Sequence, residues 1–415
     1  MKIEMPSEVK FIISELESHE YEAFAVGGCI RDSLLGRTPN DWDITTSAKP
    51  EEVKEIFHRT VDTGIKHGTV TVLIGKKSFE ITTYRVDGAY TDGRHPESVR
   101  YSKYLKEDLR RRDFTINAFA YNDEVGLRDE FYGFRDMEWK IIRAVGNAED
   151  RFSEDALRMM RAIRFAAQLG FNIELNTYNA IIKLAPNIKK VSAERIQVEL
   201  TKTLMSDHPE VTIEYAKTGL FVEILPVLYD TLSGISAQKT LELLKYVPRM
   251  VIMRYAALLR YRTPEEARDV LRKLKLDNFT INTVTKLVEY KNDINDVIEE
   301  NDISVREAIH KYGTDLLELM FVFAEADGRM KREYTGFNSR GRNVHLKTIK
   351  KLYDEILERG DCVDLKELAV NGSDLMELGI VGEQIGETLN WLLHIVMENP
   401  ALNNKNTLIS FVENR

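Results

Sequence analysis

The sequence predicts an α/β amino-terminal domain built on a mixed sheet, followed by an all-α remainder. Three observations lead there. Short β-rich runs at residues 69–74 (TVTVLI) and 78–83 (SFEITT) sit among glycine turns and short amphipathic stretches in the first part of the chain. From about residue 205 onward, apolar residues recur at helical spacing and β-rich runs are few. A chain of 415 residues, 43% hydrophobic, is long and apolar enough for two or more cores.

Composition narrows the function classes. No run of 18 apolar residues is present, so no membrane span is expected, and the start MKIEMPSEVK has no signal-peptide apolar region. Cys29 and Cys362 are the only cysteines, which excludes a disulfide framework or a Cys-rich zinc site and fits a reducing cytoplasm. A net charge of −9 argues against indiscriminate nucleic-acid binding, yet leaves room for one RNA held through a local basic surface. There is no Walker P-loop, no Gly-x-Gly-x-x-Gly and no Cys/His zinc spacing.

Taken in order, residues 6–20 read as an amphipathic helix with Val9, Ile12, Ile13 and Leu16 buried, and residues 21–26 as a short strand. The stretch 26–44, VGGCIRDSLLGRTPNDWDI, then organises the rest. Gly27 and Gly28 let backbone N–H groups approach a ligand, the following helix start favours an anion, and Arg31 adds a full charge. Ile30, Leu34 and Leu35 form its buried side, and Gly36 stops it. Asp41 and Asp43 stand at i and i+2, on one face of an expected strand and roughly 6–7 Å apart along it. Trp42 and Ile44 point the other way, into a core. Two carboxylates opposite a phosphate-holding turn suit a two-Mg²⁺ phosphoryl-transfer site, with Asp41 and Asp43 as the metal ligands.

Residues 50–57 read as a short helix with Ser47 as its cap. Residues 69–74 and 78–83 read as paired strands across a Gly-Lys-Lys turn. Glu80 and Thr82 share one face, opposite Phe79 and Ile81, which makes Glu80 a candidate third carboxylate. Residues 86–108 lack periodicity and hold Gly88, Gly93 and Pro96, as a long functional loop would. Residues 107–120 (EDLRRRDFTINAFA) read as a capped helix start, 129–142 as a turn and strand, and 150–171 as one long helix capped by Ser153. On that helix Leu157, Met160, Ile163 and Ala167 are buried, and Asp155, Arg158, Arg161 and Arg164 recur every three residues. Residues 191–200 read as a helix capped by Ser192, and residues 368–378 (LAVNGSDLMEL) as a turn and a helix start. Basic residues gather at Arg249, Arg254, Arg260 and Arg262, and again over 329–347 with Tyr334 and Phe337 interleaved.

The ordered combination of Gly-Gly, Arg-Asp and Asp-x-Asp resembles the signature motif of nucleotidyltransferases of the DNA polymerase β superfamily. In particular it is similar to the bacterial class II tRNA nucleotidyltransferase (CCA-adding) and poly(A) polymerase group. Further strings carry the likeness: the loop elements at 87–90 and 94–98, Arg-Arg-Asp-Phe-Thr-x-Asn-Ala at 111–118, DEFYGFRD at 129–136, Glu-Asp-x-x-Arg at 154–158, Glu194–Arg195, and Asn-Gly-x-Asp at 371–374.

The resemblance implies a catalytic head (1–145), a base-recognising neck (146–205), a helical body (206–300) and a tRNA-binding tail (301–415). It implies that Arg112 contacts the triphosphate, Asp113 the ribose, and Asp155 with Arg158 the base, while Arg161 and Arg164 support the triphosphate or order their helix. It gives Arg195 a bracing role. The implied reaction adds C, C and A from CTP and ATP to the 3′ end of tRNA, held by its acceptor and T-arm half, by a monomer or a homodimer. Addition of A alone, or of CC alone, stays open. So do a poly(A) polymerase and a non-catalytic RNA-binding protein. The full-length loop at 86–108 counts against CC addition, the run at 64–74 against a poly(A) polymerase, and intact Asp41 and Asp43 against the last.

Overall fold

The computed structural model describes residues 2–88, 98–335 and 340–415. Gly93, Arg94, Pro96 and Phe337 therefore lie outside the described residues, as do most of the two loop elements named above. The chain divides into two compact units, residues 1–234 with 273–275, and residues 235–272 with 276–415.

The first unit opens with α1 (Ser7–Ser18), whose buried face is Val9, Ile12, Ile13 and Leu16 as the spacing predicts. β1 (Ala23–Val26) is buried throughout. Gly27 then turns the chain at φ 82°, ψ −129°, a conformation open only to glycine, and starts α2 (Gly28–Leu34). Gly36, at φ 70°, follows the helix end. β2 (Asp43–Thr46) begins one residue pair later than the sequence suggests, because Val26↔Asp43 is its last register pair with β1. Beyond it β1 has already left the ladder at Gly27. Asp41 thus precedes the strand, and Trp42 is half-buried rather than in the core.

α3 (Pro50–Ile56) is preceded by Lys49, whose N–H donates to Glu52 at 2.6 Å; Ser47 instead accepts the N–H of Glu22 at 2.9 Å. β3 (Thr60–Gly64), a strand with few buried side chains and no clear pattern in sequence, pairs with β4 (Thr69–Ile74). β4 pairs antiparallel with β5 (Lys77–Thr83) as expected. The stretch read as one loop is in part ordered: β6 (Arg85–Asp87) and β7 (Val99–Tyr101) form a ribbon, closed by Gly88 N–H donating to Ser98 O at 2.8 Å. α4 (Leu105–Arg110) follows.

Asp113 does not start a helix. Residues 115–117 make a 3-10 turn, and β8 (Phe119–Asn122), buried at every position, pairs with β1. A short, uniformly apolar run reads equally as buried helix or buried strand, and here the open edge of β1 decides. β9 (Gly126–Asp129), α5 (Gly133–Glu138) and β10 (Ile141–Ile142) come next, the last paired in parallel with β11 (Asn172–Ile173).

The expected long helix is two, α6 (Ala148–Glu154) and α7 (Leu157–Leu169). Asn147, not Ser153, caps the first. Asp155 is extended (φ −142°, ψ 104°), and its carboxylate accepts the N–H of Leu157 at 3.0 Å, so its side chain competes with the helical ladder and breaks it. α8 (Leu175–Leu184) and α9 (Ala193–Leu204) complete the part that builds the site; Ser192 stands at the N-cap position of α9, but its side chain makes no capping hydrogen bond.

The sheet order is β3-β4-β5-β2-β1-β8-β9, mixed because only β2 and β5 run parallel. Phe24, Val26, Tyr84, Leu109, Ala118, Ala120 and Val145 form a core beside β1. The remainder is helical: among the described residues no strand follows Ile173, and no helix is long and apolar enough to cross a membrane. In the second unit, Leu375, Leu392, Val396 and Leu408 lie in one core. Asn371 accepts the N–H of Ser373 at 2.8 Å and Asp374 that of Asn371 at 2.9 Å, capping Gly372–Glu377 where the sequence placed a helix start.

Candidate active site

The site begins where β1 and β2 end side by side. Asp43 opens β2, and Asp41 stands two residues before it. Ile44 pairs with Ile81 across β2 and β5, so one step back along both strands Asp43 and Glu80 are neighbours. Asp41, Asp43 and Glu80 line one cleft of about 680 Å³ with Asn40, Trp42 and Lys77. Among the described residues no three His, Cys, Asp or Glu side chains converge closely enough to hold a metal, so Glu80 shares the cleft without closing a three-carboxylate cluster.

Neither Asp41 nor Asp43 makes an ion pair or side-chain hydrogen bond among the described residues. Protein crowding pushes the Asp43 carboxyl above the usual carboxylate range; the Arg112 charge opposes this and the Asp41 charge adds to it. Two unneutralised carboxylates side by side are a hard oxygen donor set, the kind that Mg²⁺ uses together with substrate phosphates. Beneath them the Cys29 thiol is pushed up to about 12 by burial and by Asp43.

Arg112 faces the glycine turn. A Cβ at position 27 would lie 2.7 Å from its Nη1, so a side chain there would displace the guanidinium, while the backbone conformation (φ 82°) is what requires glycine. Its Nη2 is 3.6 Å from the buried Asp108, and its Nε is buried with no hydrogen-bond partner among the described residues. Asp108 anchors the segment: it accepts from Arg111 Nε at 2.9 Å and Nη2 at 2.7 Å, and from Thr45 Oγ1 at 3.2 Å. Burial alone would raise its carboxyl, but Arg111 and Arg112 hold it below the usual range.

Gly28 approaches Arg31, but Arg31 is not a free cation at the turn. It is buried, donates to Asn117 Oδ1 at 2.6 Å and Asp32 Oδ1 at 2.9 Å, and lies 5.0 Å from the Phe165 ring centroid. Asp113 accepts from Phe114 N–H (2.9 Å), Asn117 Nδ2 (3.0 Å), and Arg161 Nε and Nη2 (2.8 and 2.6 Å). Burial works against its charge, yet Arg161, Asn117 and Arg158 hold it well below the usual range. Arg164 pairs with Glu199 at 2.5 Å and stacks on Phe165 at 3.9 Å.

The proposed base-reading pair is engaged within the protein. Asp155 accepts from Arg195 Nη2 at 2.7 Å. Arg158 donates to Glu154 at 2.6 Å and to the backbone carbonyls of Arg151 and Arg111 at 3.2 and 3.1 Å. Sequence reasoning gave no part to Asp108, Asn117, Glu154 or Glu199. Asn117 had a signal, a polar residue inside an apolar run; Asp108 had one too, at i−3 and i−4 from two arginines.

Residues 23–143 match the family model described as the poly A polymerase head domain. Residues 170–232 match an RNA- and SrmB-binding site of polymerase A, and 253–412 a tRNA nucleotidyltransferase domain 2. A CCA-adding enzyme of Leuconostoc mesenteroides is 52% identical over 215 residues, about half of each chain (52% of this one, 54% of that one). One from Streptococcus mutans is 37% identical over 408 residues, 97% of this chain and 95% of that one. The crystal structure of the Bacillus stearothermophilus CCA-adding enzyme in complex with CTP matches with a TM-score of 0.75 at 31% identity, covering 99% of both chains. With Asp41, Asp43 and Glu80 lining one cleft, Arg112 set against the glycine turn, and the likeness running end to end, the chain belongs to the family of CCA-adding tRNA nucleotidyltransferases.

Proposed function

We propose that this chain adds C, C and A in turn to the 3′ end of tRNA, from CTP and ATP, with release of pyrophosphate. The observation that carries the reading is Arg112 set against the Gly27 turn, beside Asp43, with a buried donor lacking a partner. A cation facing a glycine turn next to two free carboxylates suits a nucleoside triphosphate. Asp41 and Asp43 would hold two Mg²⁺ ions, which when bound supply the charge that acidifies the tRNA 3′-hydroxyl and offsets that on pyrophosphate.

The chain's own residues do the rest. Arg112 and the backbone at Gly27 and Gly28 hold the triphosphate, with Arg31 tying the turn down from behind. Glu80, on the wall of the cleft, draws on the proton of the 3′-hydroxyl. Asp155 accepts from the exocyclic amine of cytosine or adenine, and Arg158 donates to the adjacent ring nitrogen. Uracil and guanine present a carbonyl and a ring N–H in that order, so each would strand polar groups at about 1–3 kcal/mol apiece. Binding makes Asp155 and Arg158 exchange Arg195 and Glu154 for the base.

We keep the division into head (1–145), neck (146–205), body (206–300) and tail (301–415). Within the second unit, Arg329, Arg332, Lys347 and Lys350 line a cleft of about 500 Å³ between the helices Thr314–Thr335 and Arg340–Arg359, with Glu325 as its acid. That cleft takes the backbone of the acceptor and T-arm half of tRNA. Arg254 and Arg260 of the other basic group are buried, which leaves them a structural part.

The test supplies Mg²⁺ with CTP, ATP or both to tRNA ending before CCA and to tRNA ending in CC. Full CCA on the first, stopping after A, is the expected result. Addition of A to the CC-ended tRNA alone means A addition, long A tails mean a poly(A) polymerase, and no incorporation sinks the catalytic reading.

A further inference from the structure

The register of the sheet gives the cleft two sides. Ile44 pairs with Ile81, which sets Asp43 level with Glu80, yet β5 begins three residues before Glu80, at Lys77. The β4–β5 hairpin therefore overhangs the start of β2 by about 10 Å of strand. Its tip is a two-residue turn, Gly75 and Lys76, between the paired Ile74 and Lys77, with Gly75 at φ 62°. So short a turn fixes where its residues stand. Lys76 and Lys77 line the same 680 Å³ cleft as Asp41, Asp43 and Glu80, and are the two cations that do so among the described residues.

In the sheet order β4-β5-β2-β1, Asp43 opens β2 between the hairpin on one side and the glycine turn after β1 on the other. Arg112 faces the glycine turn, so the triphosphate belongs on the β1 side. Nucleotidyl transfer is an in-line displacement, with the attacking hydroxyl and the leaving pyrophosphate on opposite sides of the phosphorus. The attacking strand therefore arrives from the β5 side. It is a polyanion entering a cleft that already holds three carboxylates, and the overhanging lysines are the charge on its way in. Lys76 is exposed and makes no ion pair among the described residues. Lys77 pairs with Glu8 of α1 at 2.7 Å, with its side chain 63% exposed. Exposed pairs contribute little, so a phosphate displaces Glu8 at small cost.

We propose that Lys76 and Lys77 bind the backbone phosphates of the single-stranded 3′ end of the RNA and so aim its terminal hydroxyl at Asp41, Asp43 and Glu80. Lys77 stands about 10 Å along β5 from Glu80, behind the reacting hydroxyl on the strand's own backbone. An ammonium on a phosphate reads no base. The same grip thus serves a strand ending before CCA, in C or in CC, as three successive additions at one site require. The proposal rests on reading this cleft as a nucleotidyl-transfer site.

The experiment compares the full chain with two double variants, Lys76→Gln with Lys77→Gln, and Lys76→Arg with Lys77→Arg. Binding is measured on tRNA ending before CCA and on the same tRNA trimmed back to the end of its acceptor duplex. Incorporation from CTP is measured on the first. The glutamine variant should bind the untrimmed tRNA about tenfold more weakly and raise its KM to match, with KM for CTP unchanged. Its plot of log affinity against log salt should flatten by about 1.4, two single-strand contacts at about 0.7 each. On the trimmed tRNA, parent and glutamine variant should bind alike. The arginine variant should keep the parent's values, because a guanidinium also binds phosphate.

A raised KM for CTP would move the lysines to the triphosphate and overturn the proposal. So would an unchanged salt slope. An equal loss on the trimmed tRNA would assign them to general surface charge and overturn it too. An arginine variant as weak as the glutamine one would make them part of the hairpin's fold instead. A parent chain that binds tRNA yet adds nothing fails the reading above, and the two binding comparisons then decide this one. A parent that binds no tRNA overturns both.

Discussion

Asp43 and Asp113 are carboxylates with opposite surroundings, and pH separates them. Asp113 is held below the usual range, so the unfolded chain takes up its proton first as pH falls. Its contribution is present above the unfolded value and fades below it, toward the folded one. Asp113→Asn should therefore cost about 3 kcal/mol at neutral pH, as when one partner of a buried ion pair is lost. That gap to the parent should narrow below about pH 4, near the ordinary carboxylate value. Denaturant unfolding at a series of pH values checks both. Asp43 is shifted upward, so its contribution is full only below the unfolded value and is lost as pH rises through the folded one. At neutral pH its charge opposes folding. Asp43→Asn should leave Tm unchanged or slightly raised while nucleotide incorporation falls at least about 100-fold. A variant that unfolds in step with its loss of activity would contradict the assignment.

At the scale of elements, one close packing and one helix break place segments that carry site residues. α5 packs so closely on the 3-10 turn at 115–117 that a Cβ on Gly133 would lie 2.3 Å from the Thr115 carbonyl oxygen. Gly133→Ala should cost about 2–3 kcal/mol by forcing these backbones apart, read as a lowered unfolding midpoint. The break between α6 and α7 turns Asp155 out of the helix and toward Arg195 on α9. If that contact sets the angle of the carboxylate proposed to read the base, Arg195→Ala should admit UTP about tenfold more readily while CTP addition persists. Unchanged discrimination would reduce Arg195 to a packing role.

Across the whole molecule, charge is distributed unevenly. The chain carries −9 overall, yet the cleft between the helices Thr314–Thr335 and Arg340–Arg359 gathers four cations around one acid. Reversing Arg332 and Lys347 together to Glu should weaken tRNA binding by roughly tenfold or more at moderate salt. It should also flatten the dependence of log affinity on log salt by about one per lost phosphate contact. CTP affinity should not change. A filter-binding salt series beside CTP calorimetry separates the two, and an unaltered salt slope would remove the cleft from the RNA path.

The sequence by itself determined the fold class, the glycine turn with its following carboxylates, and the long helical remainder. These rest on local rules: φ above zero at Gly27, apolar spacing along α1, and the turn between β4 and β5. It also placed Asn371 at a helix start, because a capping side chain acts on N–H groups two or three residues away. It missed β3, whose mostly exposed residues carry no pattern. It read 107–120 as a helix start, since a short apolar run takes the form its neighbour offers, and for β8 that neighbour is the edge of β1. Likewise it saw four regularly spaced polar residues from Asp155 to Arg164 and took them for one helix face.

Glu154 lies four residues before Arg158, within reach of a local spacing rule. Only the tertiary structure decided the other partners: Arg195 for Asp155, Asp113 for Arg161 and Glu199 for Arg164. A buried charge takes whichever opposite charge the packing brings within reach. Asp113 and Arg161 meet across 48 residues of chain, and Arg164 and Glu199 across 35. No local spacing rule reaches that far, so the assembly of the site belonged to the fold.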